Sequence, residues 1–202
     1  MKKTSCVAVC AILLMFSLGL HANSEEPQNA YDFNFGAKLG YMIPLGEAMR
    51  DIYGGGLVFG VDAIVWHHTG IGGGLSIERF GASGYPYTYG NVDPDDADCS
   101  ISIVPISLSG MYRIKQTSIP FEPYFGLGGG LYFVSEKLEV TYGGNTSSAS
   151  GSDAAIGFHG LAGLKYRFMI VELKYTTASI KSDAAHGSAN IGGINILAGV
   201  RF

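Results

Sequence analysis

"NIGGINILAGVRF", residues 190–202, places Ile194, Ile196, Ala198, Val200 and Phe202 on alternate positions, with Asn195 and Arg201 between them. A period of two is the signature of a strand, and here the strand has one greasy face and one that carries charge. Such a strand needs two different surroundings, and the rest of the chain indicates which.

The same alternation recurs in eight segments, 33–43, 54–66, 70–80, 100–114, 121–135, 154–168, 169–180 and 190–202. One parity collects apolar residues: Phe33, Phe35 and Leu39 in the first segment, Leu57, Phe59 and Val61 in the second, Phe125, Leu127, Leu131 and Phe133 in the fifth. The other parity collects Lys38, Asp62, Glu78, Arg113, Glu122, Lys165, Arg167, Glu172, Lys174 and Arg201, mixed with glycine and small polar residues. No charge falls within the midsections of the apolar set. A lysine or arginine facing lipid at a bilayer midplane costs ~2–4 kcal/mol, so that set suits contact with hydrocarbon. A soluble sandwich would alternate as well, but its outward face would be densely charged and its inward face apolar throughout. A sheet that spans a membrane must close on itself, because an open edge strands unsatisfied amides in lipid. The expected fold is all-β, an eight-stranded antiparallel up-and-down transmembrane β-barrel.

Connections follow the same logic. Three are short or turn-like, at 67–69, 115–120 and 168–169, and they alternate with longer stretches at 44–53, 81–99, 136–153 and 181–189. Short turns on one side and long loops on the other are the pattern of outer-membrane barrels, with the long loops extracellular. The start of the chain fits export. Lys2 and Lys3 precede an apolar run from Cys6 to Leu20, and Leu20-His21-Ala22 has the form of a cleavage site. The expected organisation is a cleaved signal peptide over 1–22, a short periplasmic segment over 23–32 and a barrel over 33–202. Cleavage removes Cys6 and Cys10 and leaves Cys99 alone, so no intrachain disulfide is expected. Charged residues make up 15% of the chain and the net charge is −4, so no nucleic-acid partner is expected.

With the eight segments, the leader and "INILAGVRF" in view, the chain resembles the small eight-stranded outer-membrane barrels of the OmpA/OmpX type, within the broad group of outer membrane protein β-barrel domains. The resemblance covers about residues 31–202. It implies residence in the bacterial outer membrane among its lipids and lipopolysaccharide. It also implies that the last strand, ending on Phe202, is the signal read by the barrel-assembly machinery. Members of such a group differ in what their loops do, so the fold alone assigns no task.

Candidate sites follow from particular residues. The ten opposite-parity charges could line a pore, but an eight-strand lumen is just wide enough to be filled by side chains, and near-balanced charges favour a paired plug. "GIGGG" at 70–74 and "GLGGG" at 126–130 lack the lysine and helix of a phosphate loop, and make room for long interior side chains. Asp93, Asp95, Asp96 and Asp98 are the densest acidic cluster, a weak metal candidate without the glycine and distal glutamate of an EF-hand. "HGSAN" supplies His186, Ser188 and Asn190, and is similar to the His-x-Ser-Asn element of barrel-type lipid A deacylases; Ala189 interrupts it, and no acid follows Asp183. His159 is expected inside the barrel, while His67 and His68, adjacent in a turn, are expected to point apart. No enzyme activity and no cofactor are expected. The expected role is structural or interactive, with loops serving adhesion, protection or envelope stability through an extracellular ligand. The alternative from another class is a narrow channel or transporter for ions or small apolar solutes, and the third is a lipid A-modifying enzyme.

Overall fold

The computed structural model describes residues 30–84, 97–115, 120–142, 145–182 and 187–202. The expected signal peptide and nearly all of the segment after it lie outside these residues. The elements run β1 (Tyr31–Pro44), α1 (Glu47–Tyr53), β2 (Gly56–His67), β3 (Ile71–Gly84), β4 (Ala97–Arg113), β5 (Phe121–Tyr142), β6 (Asn145–Tyr166), β7 (Met169–Ser182), β8 (Gly187–Asn190) and β9 (Gly193–Arg201). From β1 to β7 each strand pairs antiparallel with the next, and β9 lies between β7 and β1. That arrangement closes the ring.

β8 and β9 are two pieces of one barrel strand. They keep a single register against β7, with Ser179 opposite Asn190 and Tyr175 opposite Ile194. At the break the Thr176 hydroxyl accepts from the Gly193 amide and donates to the Gly193 carbonyl, both at 3.1 Å. The side chain thereby restores backbone bonding that the ladder would have provided. Beyond the break the tail completes the cylinder: Phe35 and Phe202 exchange both backbone hydrogen bonds, at 2.8 and 2.9 Å.

The outer surface inverts the rule for soluble proteins. Leu127 and Ile156 are 76% and 70% exposed, whereas the charged Lys174 and Glu172 are 1% exposed. Outward positions from every barrel strand are apolar, among them Phe33, Leu57, Leu75, Leu108, Leu131, Phe158, Val171 and Ile196. Water cannot be the solvent of such a belt. Aromatic pairs gather where the short turns lie, Phe121 with Tyr166 at 5.0 Å and Phe168 stacked on Phe202 at 6.2 Å. Such rings suit a membrane–water boundary.

The strands run further than expected on the side of the long connections, the loop end. β5 and β6 pair from Phe121 with Tyr166 as far as Tyr142 with Asn145, so most of 136–153 is hairpin and not loop. Its serines and threonines carry no strong hydrophobic signal, but they tolerate extended backbone, and pairing satisfies their amides. β1 begins at Tyr31, which brings Asp32 into the barrel and out of the segment expected to precede it. The connection after β1 holds a helix, α1, whose Met49 is buried. Gly54 ends α1 at φ +68°, a conformation open to glycine, with its amide bonded to the Arg50 carbonyl at 2.9 Å.

Candidate functional site: the filled lumen

The middle of the lumen holds three cations and three carboxylates, all buried. Lys38 on β1 donates to Glu172 at 2.8 Å and lies 3.4 Å from Asp62 and 3.3 Å from Glu78. Lys174 on β7 spans both oxygens of Glu78 at 3.0 Å. Arg201 on β9 grips Asp62 through Nε and Nη2 at 3.2 and 2.8 Å, and its Nη2 is 3.7 Å from Glu172. The Tyr124 hydroxyl donates to Glu172 at 3.0 Å while the Arg201 guanidinium lies 5.0 Å over its ring. The six charges sum to zero, which is the condition for leaving them in a low-dielectric interior.

Glycines on neighbouring strands make the space. Gly36 stands opposite Asp62 and Gly60 opposite Glu78 in the ladder. A Cβ at either position would lie 2.6 Å from the facing side chain, Asp62 Oδ1 or Glu78 Cγ. The ionic layer therefore needs bare backbone beside it.

Towards the short turns, Ile64, Trp66, Met111, Tyr124 and Leu161 form a small apolar layer. Arg113 lies beside it, 4.8 Å over the Trp66 ring, bonded to Asp32 at 3.0 Å and 3.5 Å from Glu122. Lys165 is half-buried and donates to Asn34 at 3.2 Å. Towards the loop end the lumen becomes a stopper of Met42, Val58, Phe80, Ile101, Ile103, Tyr132, Val134, Ile180, Ile191 and Leu197, with Met49 of α1 in the same cluster.

The structure thus brings Lys38, Asp62, Glu78, Glu172, Lys174 and Arg201 together, and sets Arg113, Glu122 and Lys165 at the turn end. Arg167 departs from the expectation that it faces inward. Tyr166 pairs with Met169, so Arg167 and Phe168 form a two-residue turn beyond the ladder, where alternation no longer sets direction. Arg167 is exposed, at φ 55°, with its guanidinium 5.5 Å over the Tyr166 ring. Three contributors escaped the sequence reading. Asp32 preceded the first expected segment. Asn34 and Tyr124 lie on the charged parity, but an uncharged residue carries no signal there without its partner.

The other candidates come apart. Asp93, Asp95 and Asp96 lie outside the described residues, and Asp98 is an exposed position of β4. Among the described residues no three histidine, cysteine or acidic side chains gather as a metal site. Asp183 and His186 lie outside the described residues, and the Asn190 side chain is engaged by the Gly192 amide at 2.8 Å. His159 is buried with Nε2 2.8 Å from the Ser109 hydroxyl. The His67 and His68 rings do not point apart; their centroids are 4.0 Å apart. The cause is that His68 already belongs to the turn, off the alternating ladder. Cys99 is a buried free thiol that donates to the Gly84 carbonyl at 3.0 Å.

No family model matches the chain. No curated protein matches it in sequence. Solved structures do match. A major outer membrane protein from Thermus thermophilus is similar over 85% of this chain and 100% of its own, at 14% identity and a TM-score of 0.50. Neisserial surface protein A is similar over 87% of this chain and 98% of its own, at 17% identity and a TM-score of 0.47. Identity at this level speaks to architecture alone. The likeness to the Thermus protein, together with the closed ring, the apolar exterior and the ionic interior, gives this chain the fold of the outer-membrane β-barrels.

Proposed function

We propose that the chain is a closed structural barrel of the bacterial outer membrane, and that its work is done by the elements at the loop end and not through its interior. The carrying observation is the lumen: a neutral, fully buried six-charge network lies in series with an apolar stopper. An ion would have to displace paired charges and then enter a dehydrated apolar layer, two successive barriers. The projecting β5–β6 hairpin and the remaining loop-end connections are held on a rigid frame, the arrangement in which binding elements are usually found. In this reading the chain is exported with loss of residues 1–22. The assembly machinery recognises the strand that ends on Phe202, and the belt lies among outer-membrane lipids and lipopolysaccharide. The role is one of surface contact, protection or envelope stability, without catalysis.

Planar-bilayer recording of the purified, folded protein tests the closed lumen. The expected result is a silent membrane. Steady, reproducible conductance steps would favour a narrow channel for ions or small solutes instead.

A further inference from the structure

We infer that the β2–β3 turn binds a divalent transition-metal ion, copper(II) before others, between the imidazoles of His67 and His68. Alternation along a strand would send these neighbours to opposite faces, but His67 is the last residue of β2 and His68 the first of the turn. Their ring centroids lie 4.0 Å apart, with the planes tilted by 50°. The backbone that presents them is tied at both ends. The Gly70 amide donates to the His67 carbonyl at 2.9 Å and closes a four-residue turn. The Arg113 amide donates to the Gly70 carbonyl at 2.8 Å and fastens that turn to β4. Gly70 itself sits at φ +93°, a conformation that glycine adopts without strain.

The His67 ring is held from two sides. Tyr31, opposite it in the ladder, packs its own ring at 5.3 Å. The Thr69 hydroxyl lies 2.9 Å from Nδ1. When that hydroxyl accepts the Nδ1 proton, the Nε2 lone pair is left for a metal, and the ring is oriented and made more basic as ligating histidines are. His68 is exposed, so its ring can turn without displacing packed neighbours. Geometry then selects among ions. With metal–nitrogen bonds of about 2.0 Å, two imidazoles at 90° on one ion have centroids about 4.5 Å apart, and at the tetrahedral angle about 5.1 Å. The observed 4.0 Å is nearest to two adjacent equatorial positions of a tetragonal copper(II) ion, reached by opening the rings by about 0.5 Å. Copper(II) also binds nitrogen ligands most tightly among the divalent first-row ions. Among the described residues no third histidine, cysteine or acidic side chain gathers with the pair. Water would fill the remaining positions, so the site is of the open kind, suited to taking up and passing on an ion and not to holding the fold together.

This inference concerns the outside of the barrel and does not depend on whether the lumen conducts. The full chain, without an affinity tag and folded in detergent, is titrated with copper(II) chloride in a calorimeter, and pulsed EPR of the complex counts the bound imidazoles. One ion per barrel with two imidazoles is expected. Losing a partner that merely orients a ligand typically costs about 10–100-fold in affinity, so His67→Ala and His68→Ala should each weaken binding at least tenfold and leave one imidazole in the spectrum. His67→Ala/His68→Ala should remove the site. Thr69→Val should weaken it by a smaller factor with both imidazoles still bound, and His186→Ala, at the loop end, should leave it unchanged. Undiminished binding in the double variant, a single imidazole in the unmodified protein, or an equal fall in His186→Ala would overturn the assignment. Heat-modifiable mobility on SDS gels, unchanged in every variant, shows that the barrel itself stands.

Discussion

Lys38 and Met42 lie on the same face of β1, as do Asp62 and Val58 on β2, Glu78 and Phe80 on β3, and Arg201 and Leu197 on β9. A short distance along each of these strands the lumen passes from predominantly ionic to predominantly apolar. Both regions fill the same cylinder, but they answer to different rules. The ionic layer is conditional on its sum: each charge is tolerable because five others cancel it. The apolar stopper is conditional on volume alone, since any well-fitting hydrocarbon would serve. Burying ion pairs is weak evidence for stability, so the ionic layer is better understood as a lock than as a source of folding energy.

The sharpest break of that contrast is Glu172→Leu. It leaves Lys38 and Arg201 without their shared carboxylate and the layer at +1, and destabilisation of about 3–5 kcal/mol is expected. Urea midpoints of the folded protein in detergent measure it. Lys38→Leu/Glu172→Leu restores neutrality and should recover much of the loss. A double variant as unstable as the single one would show that packing, and not charge balance, governs the layer.

In the stopper the order reverses. Leu197→Ala opens a cavity and should cost about 2–4 kcal/mol, whereas Leu197→Met, which conserves volume, should cost under about 1.5 kcal/mol. Truncating a second stopper side chain should only add to the loss of Leu197→Ala, because nothing there is balanced against it. Rescue by such a second truncation, the kind that restores the ionic layer, would erase the distinction between the regions.

That distinction also explains what was legible in the sequence. Alternation exposes the lipid face, because apolar residues there cannot be replaced by charges along any midsection. It equally exposes Lys38, Asp62, Glu78, Glu172, Lys174 and Arg201, which are conspicuous as charges on an otherwise greasy chain. The stopper hid itself. Val58, Ile101, Ile103, Val134 and Ile180 are apolar on the inward parity, so near the loop end both faces are apolar and the period fades. Met49 was hidden for another reason: α1 is a short helix whose buried side chain packs into a cluster assembled from distant strands. The β5–β6 extension was missed because serine and glycine report neither period. Pairing partners determine it, and those are not local.

Glycine marks the boundary between the two regimes, and Gly60→Val sharpens it. The added side chain would meet Glu78 Cγ at 2.6 Å and the Ile77 carbonyl at 2.9 Å. Overpacking of about 1–3 kcal/mol is expected. Because the displaced side chain is Glu78, the loss should shrink when Glu78 and Lys174 are both shortened to Ala in the same background, a change that keeps the layer neutral. An unchanged loss would place the strain in the backbone of β3.

The smallest effect belongs to the charge that alternation misassigned. Arg167 has the sequence neighbourhood of a lumen residue but the surroundings of a surface turn, with φ at 55° and no carboxylate bonded to it among the described residues. Arg167→Asn removes a cation and supplies a residue that adopts the left-handed region readily, so a gain of no more than about 1 kcal/mol is expected. The sign carries the meaning. Taking a cation from the ionic layer unbalances it and must destabilise; taking one from the turn relieves backbone strain and should not. A marked loss of stability in Arg167→Asn would mean that the ionic layer extends to the rim, and that the neutral count of six charges is too small.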